Sequence, residues 1–274
     1  MGALDPFRMT DKLEDPLLEV MVPRLEVRGK HWFFQKVLRD YLDAMAVDSA
    51  ETVLDMRCGT GVAARTIARR AFFPGRVTGI DLSPYLVEAA RRPADDEGLG
   101  GQVEFRSADM RDLDIPGGRF DAMVAHTLVS HVPEALTVLK EAGRVVKPGG
   151  LIAVFDGDYA SMTFALDDPV QSKKYDEASV NALVTSPQAM RQMPRLIQQA
   201  GLEMLRMFPY IMVEVGKGDF WLSAIDTYEK LAPKSGVITE EEATSWANAL
   251  HKASNRGVFF GASDYYTYIA RRSA

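Results

Sequence analysis

A glycine-containing turn near residue 60 is the first segment whose residue types could do chemistry. Residues 53–61 read VLDMRCGTG, an apolar run that ends in small residues just before an amphipathic segment. Glycine lets a ligand approach the backbone closely, and the first N–H groups of a helix have no partner within that helix. The pattern predicts a strand, a turn and a helix, with a ligand bound beside Gly59 and Gly61.

An acidic residue ends the next apolar run, twenty residues after Gly61. That run reads VTGIDLSP at residues 77–84, and Asp81 is its acid. A carboxylate at the end of the second strand of such a unit can accept hydrogen bonds from both hydroxyls of a ribose. The turn and Asp81 together predict a nucleoside-containing ligand. Nicotinamide-dependent dehydrogenases are one of the two protein classes that share this geometry.

Four motifs within residues 52–156 resemble those of the second class, the class I S-adenosylmethionine-dependent methyltransferases. The turn DMRCGTG is similar to the methyltransferase motif D-x-G-x-G-x-G, whereas a dehydrogenase would show three glycines at dinucleotide spacing. The other three motifs are ADM at 108–110, RFDAMV at 119–124 and LKEAGRVVKPGG at 139–150. Within the class, the chain looks most like the ubiquinone/menaquinone-biosynthesis type, a broad group of small-molecule enzymes.

The resemblance implies S-adenosylmethionine as the cofactor. It also implies which residues bind the cofactor: Asp55, Arg57, Cys58, Gly59, Gly61, Asp81, Leu82, Asp109, Met110 and His126. In the family's third motif the acid, here Asp109, meets the adenine amino group.

Arg57 stands where the family has the first glycine of its motif. Its guanidinium could bind the cofactor's carboxylate as a bidentate fork, point to solvent, or block the pocket of an inactive protein. A positive φ would cost an arginine about 1–2 kcal/mol, so we expect a negative φ with the side chain near the mouth of the site. The adjacent Cys58 lies next to a predicted helix N-terminus, which predicts a lowered thiol pKa.

Candidate substrate residues follow the fourth and fifth predicted strands. His126 and His131 are candidate general bases, because an imidazole titrates near working pH. Packing or helix capping is the alternative for both. Thr127, Asp158 and Tyr159 are candidate substrate-binding residues. The four histidines and one cysteine form no cluster with metal-ligand spacing, so we expect no bound metal.

The elements that must position these residues follow from hydrophobic periodicity. From residue 52, short apolar runs alternate with amphipathic helices, which predicts an α/β fold with a Rossmann-like, doubly wound sheet. Strands are predicted at 52–56, 76–81, 103–107, 120–126, 151–156, 203–215 (interrupted near Pro209) and 259–270. Helices are predicted within 12–46 (two), near Gly61, from Pro84, and at 133–145, 169–183, 187–200, 219–231 and 240–254. The resemblance implies seven strands, the last antiparallel, and residues 259–270 fit that place.

The domain organisation has four predicted parts. Residues 1–8 are expected to be an expression scar before a natural start at Met9. Residues 9–48 are the N-terminal helices of a lid, 49–160 the cofactor-binding core, and 161–274 the remaining strands with inserted lid helices. We expect the lid helices, at 169–200 and 219–254 as well as the N-terminal ones, to close over the substrate.

Composition limits the partners and the compartment. The 274 residues carry a formal net charge of −6, and basic pairs are scattered among acidic residues. This argues against a nucleic-acid or membrane-surface partner. No apolar run is long enough to enter and cross a bilayer. A single cysteine without an export signal predicts a reducing, cytoplasmic setting.

The expected function is methyl transfer from S-adenosylmethionine to an O, N or C nucleophile of a small molecule. Methyltransferases that act on nucleic acids or protein amides usually carry N/D-P-P-Y/F/W after the fourth strand, whereas residues 126–129 read HTLV. Because of Arg57, the alternative is a non-catalytic cofactor-binding or regulatory protein of the same fold. The sequence leaves the substrate unidentified and a homodimer open.

Overall fold

The computed structural model of the protein describes most of the chain. The described residues are Asp5, residues 7–8 and residues 10–273, without the side chains of Asp15 and Pro16. Met9, the expected natural start, lies outside the described residues, as do most residues of the expected scar.

A seven-stranded sheet forms the centre of the described chain. Its strands are β1 (Thr52–Met56), β2 (Arg76–Asp81), β3 (Val103–Ser107), β4 (Phe120–His126), β5 (Val146–Phe164), β6 (Leu202–Gly216) and β7 (Phe259–Arg272). The strand order is β3-β2-β1-β4-β5-β7-β6, and β7 runs antiparallel to both β5 and β6. The predicted doubly wound sheet and its antiparallel last strand are confirmed. The order reverses between β1 and β4, where doubly wound sheets bind ligands at the carboxyl ends of the strands.

Nine α-helices lie around the sheet in the part of the chain that the structure describes. They are α1 (Asp15–Lys30), α2 (Trp32–Ala44), α3 (Val62–Ala68), α4 (Pro84–Asp96), α5 (Ala135–Val145), α6 (Pro169–Leu183), α7 (Ala189–Gln199), α8 (Phe220–Leu231) and α9 (Glu240–Asn255). Two predicted caps are confirmed. Ser83 accepts a hydrogen bond from the backbone of Leu86, and Thr239 and Glu242 form a capping box.

Alternate residues of the strands point into two separate apolar cores. Val53, Val124 and Phe155 face the core formed with α2, α3 and the lid helices α6, α8 and α9. Their neighbours along the strands, such as Leu54 and Met123, face the core formed with α5 and α7. Helix α7 therefore packs on the sheet beside α5, and our expectation that it belongs to the lid is wrong. Its apolar face is buried by β6 and α5.

Strand β5 is much longer than the predicted 151–156. Its pairing with β7 continues past a register shift between Asp158 and Thr163, up to the pair Phe164–Gly261. The sheet is thereby extended beyond the carboxyl ends of the parallel strands, toward α6. Residues 147–150, which lie between the predicted helix at 133–145 and the predicted strand at 151–156, are part of β5.

Strand β6 is an edge of the sheet. Its register shift lies between Met204 and Arg206, whereas Pro209 pairs with Tyr266 without a break. The interruption predicted near Pro209 is thus wrong, because a proline is tolerated on an edge strand, where a missing N–H need not interrupt a ladder. The exposed apolar side chains of β6 include Met204, Met207, Ile211, Val213 and Val215.

Helices α8 and α9 are held to the sheet by aromatic packing. Trp221 of α8 and Trp246 of α9 are both almost fully buried and pack edge-on against Phe164 of β5. Within the described ranges, no helix is long and apolar enough to span a bilayer.

Gly61 and Gly98 offer a test of the close packing behind the turn. Both have positive φ, 76° and 73°, but a Cβ at Gly61 would lie 2.5 Å from the ring of Phe105, whereas one at Gly98 would meet nothing within 4 Å. Alanine at either position adds left-handed strain of about 1–2 kcal/mol. Because overpacking adds to the strain at Gly61, Gly61→Ala should lower the free energy of unfolding by about 1–3 kcal/mol more than Gly98→Ala does. Equal losses of unfolding free energy in denaturant titrations would contradict the packing argument.

Candidate functional site

The turn after β1 reverses the chain with three left-handed residues. Arg57, Gly59 and Gly61 have φ of 66°, 54° and 76°. The Cys58 N–H donates to the Ile80 carbonyl at 2.8 Å, and the Gly61 N–H donates to the Cys58 carbonyl at 2.8 Å. The turn is therefore fixed against the end of β2, and α3 begins directly after it.

Asp81 links that turn to the end of β2. Its buried carboxylate accepts the Gly59 N–H and the Ser83 N–H, both at 3.0 Å. It also accepts the hydroxyl of Thr10 at 3.5 Å. A protein hydroxyl thus occupies a position on this carboxylate where a ribose hydroxyl would donate.

Asp55 is used by the fold itself. Its carboxylate is buried and accepts the Ala64 N–H of α3 at 3.0 Å. Burial, with a contribution from the charge of Asp81, raises the pKa of Asp55 to about 7. This bond ties the first turn of α3 to β1, so Asp55 shapes the cofactor turn from behind.

Arg57 corrects one expectation. Its φ is positive, not negative, because the turn needs a left-handed residue at the position where the family has glycine. Its side chain is partly exposed, and Nη2 donates to the carbonyl oxygen of Phe7. The guanidinium therefore lies at the mouth of the site and touches the N-terminal segment, which we define as Asp5, residues 7–8 and residues 10–12.

The N-terminal segment reaches the candidate substrate residue His131. The Asp5 carboxylate accepts the N–H and the hydroxyl of Thr185, at 3.0 and 2.9 Å, and lies 3.0 Å from His131 Nδ1. Burial raises the pKa of Asp5, but the charge and hydrogen bonds of His131 and Thr185 outweigh it and keep the pKa below its usual value. Asp5 and Phe7, which belong to the expected scar, therefore contact candidate site residues.

Cys58 corrects a second expectation. Burial raises the pKa of the Cys58 thiol well above its ordinary value, and the carboxylates of Asp55 and Asp81 raise it further. The predicted lowering by a helix N-terminus is outweighed, because the sulfur is enclosed beside two acids.

Three predicted cofactor residues, Leu82, Asp109 and Met110, lie in the loops that follow β2 and β3. Leu82 is partly exposed and Met110 is buried. Asp109 accepts the backbone N–H of Arg111 at 2.9 Å and pairs with its guanidinium at 2.7 Å, and these contacts lower the pKa of Asp109. The Asp109 carboxylate is thus already engaged within its own loop.

His126 is half-buried at the end of β4. Its Nδ1 lies 3.1 Å from the hydroxyl of Tyr41, and its ring centroid is 4.6 Å from that of Phe155. Desolvation, helped by the charge of Arg28, lowers the pKa of His126 to about 3. An effective general base has a pKa near the working pH, so this value argues against His126 as the proton acceptor.

Thr127 carries backbone strain. It has φ 60°, a true outlier for a β-branched residue, and its N–H donates to the Phe155 carbonyl at 2.7 Å. Strained residues of this kind cluster at functional sites. Thr127 remains a candidate substrate contact.

A line of aromatic rings joins His126 to His131. Phe155 stacks on Tyr265 with a centroid distance of 5.6 Å, and Tyr159 lies 6.4 Å from Tyr265 and 6.2 Å from His131. The predicted site residues His126, His131 and Tyr159 are thus connected by one continuous series of ring contacts.

Asp158 lies at the β5 register shift. Its Oδ2 pairs with Arg191 at 2.8 Å, whereas its buried Oδ1 has no hydrogen-bond partner within the described chain. Burial outweighs Arg191 and raises the pKa of Asp158.

Four site residues were not found by sequence reasoning: Arg28, Tyr41, Arg65 and Thr185. Arg65 of α3 is buried and pairs with Glu26 of α1 at 2.8 Å and with Glu97 at 3.1 Å. No local pattern signals these contacts, because the partners lie far apart in the chain. In the described ranges, no group of three or more His, Cys, Asp or Glu is arranged to hold a metal ion.

Comparison with known proteins identifies the domain. Residues 53–150 match the family model described as "Methyltransferase domain". The chain is 30% identical over 240 residues to an uncharacterized 37.1 kDa protein in transposon TN4556 of Streptomyces fradiae. The aligned residues cover 87% of this chain and 66% of that protein. It is 35% identical over 127 residues to a sterol 24-C-methyltransferase of Aspergillus fumigatus, over 45% of this chain and 33% of that protein. Both matches span less than two thirds of the relatives' length.

The fold is similar to that of a solved C-methyltransferase. Geranyl diphosphate C-methyltransferase from Streptomyces coelicolor A3(2), in complex with Mg²⁺, geranyl diphosphate and S-adenosyl-L-homocysteine, superposes with a TM-score of 0.54 at 20% identity, over 99% of this chain and 90% of that one. Residues 53–150 are thus a methyltransferase domain. The chain therefore carries a methyltransferase domain, and its described fold is that of the class I S-adenosylmethionine-dependent methyltransferases.

The left-handed turn at Arg57 can be tested by stability. Alanine at this position keeps the Cβ and its strain of about 1–2 kcal/mol, whereas glycine removes both at the cost of some chain entropy. We expect Arg57→Gly to be about 1 kcal/mol more stable than Arg57→Ala in denaturant unfolding. Because both variants lack the contact with Phe7, their difference isolates the backbone. A more stable Arg57→Ala would mean that the turn does not need a left-handed residue.

The buried, high-pKa thiol predicts slow modification of Cys58. Iodoacetamide should alkylate the native protein at pH 8 about tenfold or more slowly than the guanidinium-unfolded protein, because only an accessible thiolate reacts. The only cysteine of the chain makes the stoichiometry unambiguous by mass spectrometry. Equal rates in the two states would restore the expectation of a reactive thiol.

Proposed function

We propose that this chain binds S-adenosylmethionine at the carboxyl ends of β1 and β2 and transfers its methyl group to an O, N or C nucleophile of a small molecule. The observation that carries the proposal is the Asp81 carboxylate, which two backbone N–H groups hold at the end of β2 beside the glycine turn. This is the position from which an acid binds a cofactor ribose in doubly wound folds.

The groups present fit such a cofactor. The Asp81 carboxylate already accepts a hydroxyl, from Thr10, and the Arg57 guanidinium already binds a carbonyl oxygen, from Phe7. A ribose hydroxyl and a cofactor carboxylate would make the same two kinds of contact. We infer that the N-terminal segment shifts when the cofactor binds, because its contacts use the same protein atoms.

The adenine and the methyl group would lie on either side of the ribose. Leu82, Asp109 and Met110 would border the adenine, and the backbone at His126 and Thr127 would border the methionine end. The bound cofactor supplies an electrophilic methyl group. The chain's part is to align the nucleophile with it and to exclude water beneath α6, α8 and α9.

The narrower expectations belong to this proposal as well. They are a small-molecule acceptor rather than a nucleic acid, a cytoplasmic location, the ubiquinone/menaquinone-biosynthesis type and a homodimer left open. A sterol and geranyl diphosphate, named for two of the similar proteins, share a large hydrocarbon body, so molecules with such a body are the acceptors to screen first.

The second candidate function is cofactor binding or regulation without methyl transfer. The contact of Thr10 with Asp81 favours it, because a hydroxyl from within the chain occupies the carboxylate. Incubation with methyl-labelled S-adenosylmethionine and a panel of phenols, quinones, amines and prenyl compounds separates the two functions. Cofactor binding without labelled product across the panel would support the second.

The cofactor site itself is tested by Asp81→Ala. Loss of the ribose hydrogen bonds, worth about 1–3 kcal/mol, should weaken binding of S-adenosylhomocysteine about five- to 150-fold in calorimetry. Asp121→Ala is the matched control. Asp121 binds Thr52 and Lys147 at the opposite end of the strands, so its loss should affect stability and leave affinity unchanged. Undiminished affinity in a folded Asp81→Ala protein would refute the assignment.

A further inference from the structure

Arg28 of α1 points into the space beyond β4 and β5. Its Nη1 donates to the Thr127 hydroxyl at 3.3 Å, and its guanidinium lies 4.3 Å from the centre of the Phe34 ring. Its Nη2 is buried and has no hydrogen-bond partner in the part of the chain that the structure describes. A buried donor on a charged group is costly to leave unpaired, so this atom lacks an acceptor that a ligand can supply.

The surroundings of Arg28 are aromatic and offer it no carboxylate. No ion pair joins Arg28 to an acid within the described residues. Its positive charge opposes the rise in pKa that burial causes at Tyr159 and Tyr265, and it helps to lower the pKa of His126. Arg28 is thus a cation among aromatic groups, and its effect on the pKa values of the two tyrosines is opposed by the buried Asp156 carboxylate.

Other arginines of this region are satisfied. Arg65 has two carboxylates and the Thr60 carbonyl as partners. Arg24, one turn before Arg28 on α1, bridges to the lid helix α8 through the Thr227 hydroxyl and the Ser223 carbonyl. Arg28 is set apart by a buried N–H group that has no hydrogen-bond partner within the described chain.

We propose, on the basis of the proposed function, that Arg28 and the Thr127 hydroxyl form a subsite for a carboxylate of the acceptor substrate. The acceptor is an organic acid with a planar, apolar body, which suits the aromatic rings of Phe34, Phe155 and Tyr265. These rings are buried, so the acid reaches them only when the side chains that cover them move apart. Arg28 binds one carboxylate oxygen through Nη2, as a charge-assisted hydrogen bond in a water-poor pocket. Its positioning role is to hold the acceptor at the end of β4, next to the methyl group.

A carboxylate could also come from the cofactor, which carries one of its own. Two features favour the acceptor. Arg57, at the mouth of the turn, is already placed for the cofactor carboxylate. The rings around Arg28, those of Phe155 and Tyr265, belong to β5 and β7, on the side of β4 away from the turn.

The test compares acids with their neutral isosteres on the full chain. The probes are benzoate, 4-hydroxybenzoate and 2-naphthoate, each paired with its carboxamide, titrated with saturating S-adenosylhomocysteine and followed by ligand-observed NMR. Wild-type protein should bind at least one acid about tenfold more tightly than its amide. Arg28→Met should abolish that preference, and Arg28→Lys should retain part of it.

Arg24→Met is the matched control, because it removes a guanidinium from the same helix without touching the subsite. It should keep the preference for the acid. Circular dichroism and thermal melts establish that each variant is folded. If Arg28→Met does not fold, the binding of acids and amides is compared in Arg28→Lys and Thr127→Val instead. Both variants should show a weaker preference for the acid than wild-type protein does.

Three outcomes would overturn the subsite. The first is wild-type protein that binds acid and amide equally in all three pairs, and the second is a folded Arg28→Met protein that keeps the preference for the acid. Alternatively, Arg28→Met could weaken S-adenosylhomocysteine about tenfold without affecting 5′-methylthioadenosine, which lacks the carboxylate; Arg28 would then serve the cofactor. If wild-type protein does not bind S-adenosylhomocysteine, the proposed function is refuted instead. The acid–amide comparison is then made without S-adenosylhomocysteine.

Discussion

Arg65 is a buried arginine whose charge is neutralised by two carboxylates from different helices. Glu26 of α1 and Glu97 at the end of α4 bind it, and the Thr60 carbonyl accepts a further hydrogen bond from within the cofactor turn. Breaking a buried pair of this kind typically costs about 3–5 kcal/mol, because a charge is left without a partner. The network fixes α1 across the turn, and Arg28, two residues after Glu26, is thereby held over the end of β4. The position of the Arg28 guanidinium therefore depends on the two carboxylates that neutralise Arg65.

Local periodicity was sufficient for the parallel part of the sheet. Strands β1 to β4 have the predicted bounds because each is a short apolar run closed by turn residues, and α6 begins and ends where its pattern does. The antiparallel part was not predictable in the same way. The length of β5, and the tolerance of β6 for Pro209, depend on pairing with β7, which follows some fifty residues after β6 begins. A window of local sequence contains no such partner.

The same distinction between local and long-range signals applies to the residues of the site. Gly59, Gly61 and Asp81 were found because their chemistry requires a fixed spacing within one strand–turn–helix unit. The φ of Arg57 was missed because an arginine gives no local signal of a left-handed backbone, and the Cys58 thiol was misjudged because its burial is a tertiary property. Arg28 comes from a helix that precedes the motifs, and the Arg65 network is one of the long-range contacts that hold this helix against them.

Pro209 has a consequence for how this protein behaves at high concentration. Strand β6 exposes a long edge whose free side carries several apolar and β-branched side chains. An edge of that kind is a template on which another chain can add a strand and start aggregation. Pro209 lies in the middle of Leu202–Gly216 and offers no N–H group, so an added strand would find the ladder broken at its centre. We therefore expect Pro209, which the edge strand β6 tolerates without loss of the fold, to limit fibril-like association.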